Sequence, residues 1–325
     1  MKLLKLIPDN TNIRFLRWRV PFYVVSLLLM AASIGLVATK GLNLGVDFVG
    51  GQMTRVTFTG TAEAPVAELR ESIDRLGFGE PIIQRFGKPN EVSIRMKLPE
   101  GSENQPELAD AMARKITTAI REVRPDARID GVDSVSGKVS GELFSTGMQA
   151  LLAAMVAISI YIWVRFEWQF GVGALFALVH DVTLTVGLFA LTQLEFDLNI
   201  VAALLTLIGY SLNDNIVVYD RVRENLKKYR RMPLPELLDL SVNETLSRTI
   251  VTSTSLLITL LALLLLGPDV IFGFTAAITL GIFVGTYSSI YMATPILIWL
   301  KVNPNSFVPT ESDVDRQDRL ARERG

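Results

Sequence analysis

Long apolar stretches separated by short polar connections dominate this chain, and one longer segment of mixed character interrupts them near its beginning. Six stretches run for about 18 residues or more with few charges, each long enough to cross a hydrocarbon core of about 30 Å. They cover 20–39, 143–164, 170–191, 198–219, 248–266 and 270–300. Charged or helix-breaking connections part them, such as Arg165-Phe-Glu-Trp168, Thr192 to Asp197 and Gly267-Pro-Asp269. The pattern predicts an α-helical polytopic membrane protein with six transmembrane helices.

Between the first two spans the period of the pattern changes. Gln52 to Thr59 alternates, placing Met53, Arg55 and Thr57 against Thr54, Val56 and Phe58, as a strand does. Ala64 to Leu76 has helical spacing at Val66, Leu69, Ile73 and Leu76, closed by Gly77. Pro81 to Phe86 and Glu91 to Met96 are short strands joined through the turn residues Gly87-Lys-Pro-Asn90. Pro106 to Val123 returns to helical spacing, and Ala127 to Val135 is the last strand. The order βαββαβ predicts one external α+β domain of ferredoxin-like type between helices 1 and 2. Two further patterns lie among the spans. Leu234, Leu238, Val242 and Leu246 share one face, which predicts a helix lying at the membrane surface over 233–247. Gly273, Ala277, Gly281 and Gly285 recur every fourth residue, which suits a close helix pair within the chain; the other reading is a contact with another subunit.

Charge orients these elements. Lys2, Lys5, Arg14, Arg17 and Arg19 precede the first span, and Arg221, Arg223, Lys227, Lys228, Arg230 and Arg231 lie between the fourth and fifth. Lys and Arg mark the cytoplasmic side, so both termini are expected inside. The expected division is 1–19 cytoplasmic N-terminus, 20–39 first span and 40–142 periplasmic domain. The remaining five spans occupy 143–300 with a cytoplasmic connection at 220–247, and 301–325 is a cytoplasmic tail, expected to be disordered beyond Pro309. The first span is too long for a signal peptide, and Thr39-Lys40-Gly41 is a poor cleavage site. In 325 residues the net charge is -1, which gives no sign of nucleic-acid binding, and there is no cysteine for thiol chemistry.

Candidate chemistry starts with Asn213-Asp214-Asn215, which sits inside the fourth span. A charged side chain at the centre of a spanning helix costs roughly 2.5–3.5 kcal/mol on insertion scales, so Asp214 should face protein or a wet cavity. Two roles stay open for it: a proton-carrying acid, or a satisfied polar contact between helices. His180 and Asp181 stand midway along the third span, either bonded to neighbouring helices or part of a proton path. Arg248 opens the fifth span and keeps its charge at any relevant pH. Its distance from Asp214 could switch the proton affinity of that acid; a static salt bridge is the alternative. No GxSxG, HExxH or Walker loop is present, and one histidine with scattered carboxylates makes a poor metal ligand set, so an enzyme is not expected.

The chain resembles the SecF family, within the resistance-nodulation-division superfamily, from about Arg17 to Leu300. The motifs that carry the resemblance are Gly45-Val-Asp-Phe-Val-Gly-Gly51, Arg165-Phe-Glu-Trp168 and Ala177-Leu-Val-His-Asp181. Gly209-Tyr-Ser-Leu-Asn-Asp-Asn215 with Asp220-Arg-Val-Arg-Glu-Asn225, and Arg248-Thr-Ile-Val-Thr-Ser253, complete the set. The resemblance implies a partner, SecD, that supplies the other six-helix half, and work beside the SecYEG channel late in protein export across the bacterial inner membrane. YajC, the unfolded exported polypeptide and membrane lipid are further implied partners. It implies no cofactor, only protons as the coupling ion, and it aligns Asp214 and Arg248 with the family's proton-conducting acid and arginine. Asn213, Asn215, His180 and Asp181 are added as candidates of the same path. The loop holding Gly45, Asp47, Gly50 and Gly51 is expected, with Gly41 and Gly137–Gly141, to hinge the external domain; these glycines could equally just turn the chain. The alternative function is a proton-coupled solute or lipid exporter of the same superfamily, and a third is a passive scaffold.

Overall fold

The computed structural model of the chain describes residues 8, 11–85, 88–98 and 106–302. The tail beyond Pro309 lies outside the described residues. Six helical segments are long and apolar enough to cross a membrane. They are α1 (Arg19–Lys40, with a 3-10 turn at Phe15–Trp18 before it), α5 (Gly137–Arg165), α6 (Trp168–Thr192), α7 (Leu198–Lys228), α8 (Leu234–Leu266) and α9 (Phe272–Ser288). The last continues through a π-helical turn, Ser289–Ala293, into α10 (Thr294–Trp299).

Burial separates centre from periphery. The apolar windows of α6, α7 and the last span are 50%, 50% and 61% buried, against 17% for α1, α5 and α8, so the first three form the core of the bundle. Glycines let them approach. A Cβ on Gly281 would overlap the Leu207 side chain of α7, and one on Gly273 would touch Ile200 Cδ1 at 3.4 Å. The small-residue row is thus a tight pair within the chain.

The segment between α1 and α5 is a small α+β domain. Its elements are a one-turn helix α2 (Val46–Val49), β1 (Gly51–Phe58), α3 (Val66–Asp74), β2 (Ile82–Arg85), β3 (Glu91–Met96), α4 (Pro106–Val123) and β4 (Ala127–Val135). All pairs are antiparallel in the order β2-β3-β1-β4, the arrangement expected of the split βαββαβ motif. Val56, Phe58, Ile94 and Met96 on one face pack against Leu69, Ile73, Met112, Ile116 and Ile120. The other face carries Arg55, Gln84 and Arg95 and lies on the crossovers of the bundle. Arg95 Nη1 donates to Leu44 O, Gln84 Nε2 to Gln193 O, and a parallel bridge joins Leu44 to Phe196.

One expectation is corrected. The apolar face over 233–247 does not lie on the membrane surface. It forms the first turns of the continuous helix α8, where Leu238 and Val242 are 0% and 1% exposed against Leu226 and Leu16. Asn243 exchanges two hydrogen bonds with Ile13, and Asn225 Nδ2 donates to Ser241 Oγ, so protein covers the face that lipid was expected to cover. Gly137 and Gly141 lie within α5, whose N-cap is Ser136, and residues 46–49 after Gly45 form α2.

Candidate functional site

α7 remains helical through three consecutive polar residues because its flanks are apolar and its first turn is capped by Asp197, which accepts from Ile200 N at 3.1 Å. Consecutive helix residues point about 100° apart, so the triplet faces three directions. Asp214 is 2% exposed and Asn215 0%, whereas Asn213 is exposed on the outer surface of the bundle. Asp214 Oδ2 and both amide atoms of Asn215 have no hydrogen-bond partner. The positive charge that acts on Asp214 is Arg248, on the outer face of α8. Among the described residues no ion pair within 4.0 Å joins them. The static salt bridge is therefore not formed, and the acid and the arginine stand near each other with the carboxylate unclaimed.

His180 and Asp181 form a separate knot on α6. His180 Nδ1 lies 2.9 Å from Asp181 Oδ1, while Ser211 Oγ of α7 and Ser288 Oγ of α9 donate to Oδ2 at 2.6 and 2.9 Å. Both side chains are fully buried. The two serine bonds to the carboxylate thus tie α6 to α7 and α9. His180 Nε2 alone is left without a partner. Ser211 is three residues before Asp214, so the knot also fixes the rotation of α7 about its axis.

A chain of hydroxyls not singled out from the sequence runs across α7, α8 and α9. Tyr210 Oη and Ser253 Oγ are 3.0 Å apart, and Ser253 Oγ and Thr286 Oγ1 2.7 Å. Thr286 Oγ1 donates its one proton to Ile282 O at 2.9 Å. Ser253 must then donate to Thr286, and Tyr210 to Ser253, because each hydroxyl has a single proton. The chain ends at a carbonyl, so it fastens helices and cannot pass a proton onward. Tyr210 and Ser253 lie within motifs read from the sequence, but nothing along the chain pairs them with each other or with Thr286.

The glycine loop lies apart from these groups, at the foot of the small domain. Gly41, Gly50 and Gly51 have φ of 71°, 73° and 121°, values that L side chains resist. A Cβ on Gly50 would lie 3.0 Å from Gly137 Cα, and one on Gly51 would overlap Met96 O. Asp47 Oδ2 accepts from Leu198 N at 3.0 Å, so the loop holds the free N-terminus of α7. Gly45, with φ of -69°, is needed for space rather than angle: a Cβ there would meet Glu195 Oε1 at 3.0 Å. The site residues thus divide into Asp214 with Arg248, a buried knot at His180 and Asp181, and a foot at Gly45 to Gly51.

The profile of the protein-export membrane protein SecD/SecF, C-terminal part, matches residues 115–303, and that of the SecD/SecF GG motif matches 35–62. The protein translocase subunit SecF of Rhodobacter capsulatus is 46% identical over 319 residues, covering 95% of both chains. The chain belongs to the SecF family. SecF of Cereibacter sphaeroides is 45% identical over 304 residues, covering 92% of this chain and 93% of its own. Among solved structures, SecDF of Thermus thermophilus superposes with a TM-score of 0.79 at 36% identity, covering 91% of this chain. A SecDF structure in a super-membrane-facing form gives 0.61 at 32% identity over 97% of this chain. The chain spans 40% of each SecDF chain. The two matched profiles thus cover all three places that the fold separates, 35–62 the foot and 115–303 the other two.

Proposed function

We propose that the chain is the SecF subunit of the bacterial Sec protein-export machinery, working with a SecD half to couple the proton gradient to late steps of translocation. The observation that carries the coupling is Asp214: a buried carboxyl whose Oδ2 has no partner, near a permanent cation with which it makes no ion pair. Such an acid changes its proton affinity whenever that cation moves. A partner is supported by the outer face of α7, where Thr206, Gly209 and Asn213 are exposed at mid-helix, and by Arg248, exposed on α8 and acting on Asp214. Exposed to lipid, an amide and a guanidinium at that depth would be costly. Covered by the SecD half, they line a polar seam next to Asp214. The size of the SecDF chains, of which this one spans 40%, fits that second half.

In this reading the protein lies in the inner membrane with both termini cytoplasmic, the small domain in the periplasm, and SecYEG, YajC and the unfolded polypeptide as associates. Protons are the only coupling species, with no bound cofactor. One charge crossing 100 mV releases about 2.3 kcal/mol. Moving a two-state element from 1:99 to 99:1 takes roughly 5.5 kcal/mol, so one proton suffices only for a weakly biased element. The test is export into inverted inner-membrane vesicles holding the complete complex. Asp214→Asn keeps shape and removes the exchangeable proton, and should abolish the gradient-dependent part of export. Arg248→Lys should damage it too, since an ammonium lacks the planar fork. Full gradient-dependent export with Asp214→Asn would leave the chain a scaffold.

A further inference from the structure

The face of the sheet that meets the bundle holds a cluster of charges away from Asp214. Arg95 of β3 is at its centre: Nη1 donates to Leu44 O, and Nη2 donates to Asn43 Oδ1 at 3.2 Å. Its nearest carboxylate is Glu195, in the connection between α6 and α7, with Oε1 at 3.9 Å from Nη2. That is an ion pair without a hydrogen bond: two of the guanidinium's donors are turned to the loop after α1, and its Nε is itself buried without a partner. Glu195 also faces Arg55 of β1, Asp197 at the start of α7 and Asp47 of α2. The last two, with Asp133, are held by donors: Asp47 by Leu198 N, Asp197 by Ile200 N and Asn199 Nδ2, and Asp133 by Arg55. Glu195 alone of the four accepts no hydrogen bond among the described residues. Its Oε1 is buried and pressed against the backbone of Gly45.

We infer that Glu195 is a second proton-binding group of this protein, on the small-domain side of the membrane, and that taking up a proton there closes the contact between the domain and the helical bundle. Glu195 is partly exposed, but its Oε1 is enclosed without a donor. A carboxyl oxygen so held favours the neutral form, whereas the same group released to water regains its solvation as an anion. Closing therefore takes up a proton, and opening releases it. The cleft beside Glu195, about 90 Å3 and bordered by Arg55, Ser93 and Gly273, opens a path for that proton.

Burial pushes Glu195 above the usual carboxylate range, Arg95 and Arg55 partly oppose this, and Asp197 and Asp47 reinforce it. The sign follows. A group whose affinity for protons is raised in the closed contact stabilises that contact at low pH, and the effect is lost as pH rises through the raised value. An acidic periplasm would thus hold the domain down. The domain contact can be read at uniform pH with no gradient imposed, so the inference stands or falls apart from gradient-driven export.

The test is the distance between spin labels at Thr118→Cys on α4 and Leu191→Cys at the end of α6, in the complete complex in lipid nanodiscs. The chain has no cysteine of its own to interfere. The closed population should fall relative to the open one as pH rises from 5 to 8, by no more than about tenfold per pH unit for one proton. Glu195→Gln, a neutral isostere, should hold the closed distance across the whole range. Arg95→Gln should loosen the contact at every pH by removing the bonds to Leu44 and Asn43. Asp197→Asn, still a good helix cap, removes a charge that raises the proton affinity of Glu195 and should move the transition to lower pH, whereas Asp214→Asn should titrate as the unaltered chain does. A single distance at all pH values would overturn the inference. So would a closed population that grows with pH, or a titration that survives in Glu195→Gln.

Discussion

Gly173 is where the fold can be tested most sharply, because three elements meet over it. A Cβ there would lie 2.5 Å from Tyr219 Oη of α7, 2.8 Å from Ile296 Cγ2 of α10 and 3.0 Å from Ala293 O of the π-helical turn. Ordinary contacts between heavy atoms lie near 3.5–4.0 Å, so Gly173→Ala requires Tyr219 to retreat by about 1.0–1.5 Å. Tyr219 has nowhere to go. It is 0% exposed, packs edge-on against Phe170 at 4.9 Å between centroids, and donates to Ala293 O at 3.3 Å. Overfilling a packed site of this kind costs about 1–3 kcal/mol. Tyr219→Phe alone should cost about 0.5–1.5 kcal/mol for the lost hydrogen bond. Since the hydroxyl is also the atom that the new methyl strikes hardest, the double variant should be no less stable than Gly173→Ala alone. Unfolding of the four chains, purified in the same detergent and followed by denaturant titration, measures the cycle. Costs that simply add, or a Gly173→Ala chain within about 0.5 kcal/mol of the parent, would refute this packing.

Single cysteines at Thr118 and Glu236, both exposed, should label oppositely with an impermeant reagent in spheroplasts, the first but not the second; the reverse would invert the topology. Asp181→Ala should destabilise the bundle in the same unfolding assay by about 1–3 kcal/mol for each group it leaves unsatisfied, since it removes the acceptor of Ser211 and the partner of His180 in a dry core while Ser288 keeps Gly285 O. A milder loss there, with export abolished, would move the pair from structure to proton transfer.

Some of this was legible along the chain because it depends on short-range periodicity. The strands of the small domain were expected within two residues of where they lie, since alternation at period two sets a strand's faces whatever it packs on. The face of Leu238, Val242 and Leu246 was also legible, but what covers it was not. An apolar stripe at helical spacing suits a membrane surface and a protein groove equally well. The groove exists only because α7 continues to Lys228 and the turn at Phe15–Trp18 folds across it.

By itself the sequence determined the six spans, the βαββαβ order, and the presence of Asp214, Asp181 and Arg248 in apolar surroundings, since hydropathy and residue type are local properties. Only the tertiary structure decided which of these groups are satisfied. Asp181 and Asp214 look alike as acids in spanning helices. One is enclosed by His180, Ser211 and Ser288 and the other keeps a bare oxygen, because α6, α7 and α9 pack in the register that sets Gly173 against Tyr219 and Asp181 against Ser211. That register is a property of three surfaces fitted together. A glutamate in a short connection, Glu195, becomes a half-buried partner of Arg95 for the same reason: the sheet that carries the arginine comes to rest on the connection some hundred residues further along the chain.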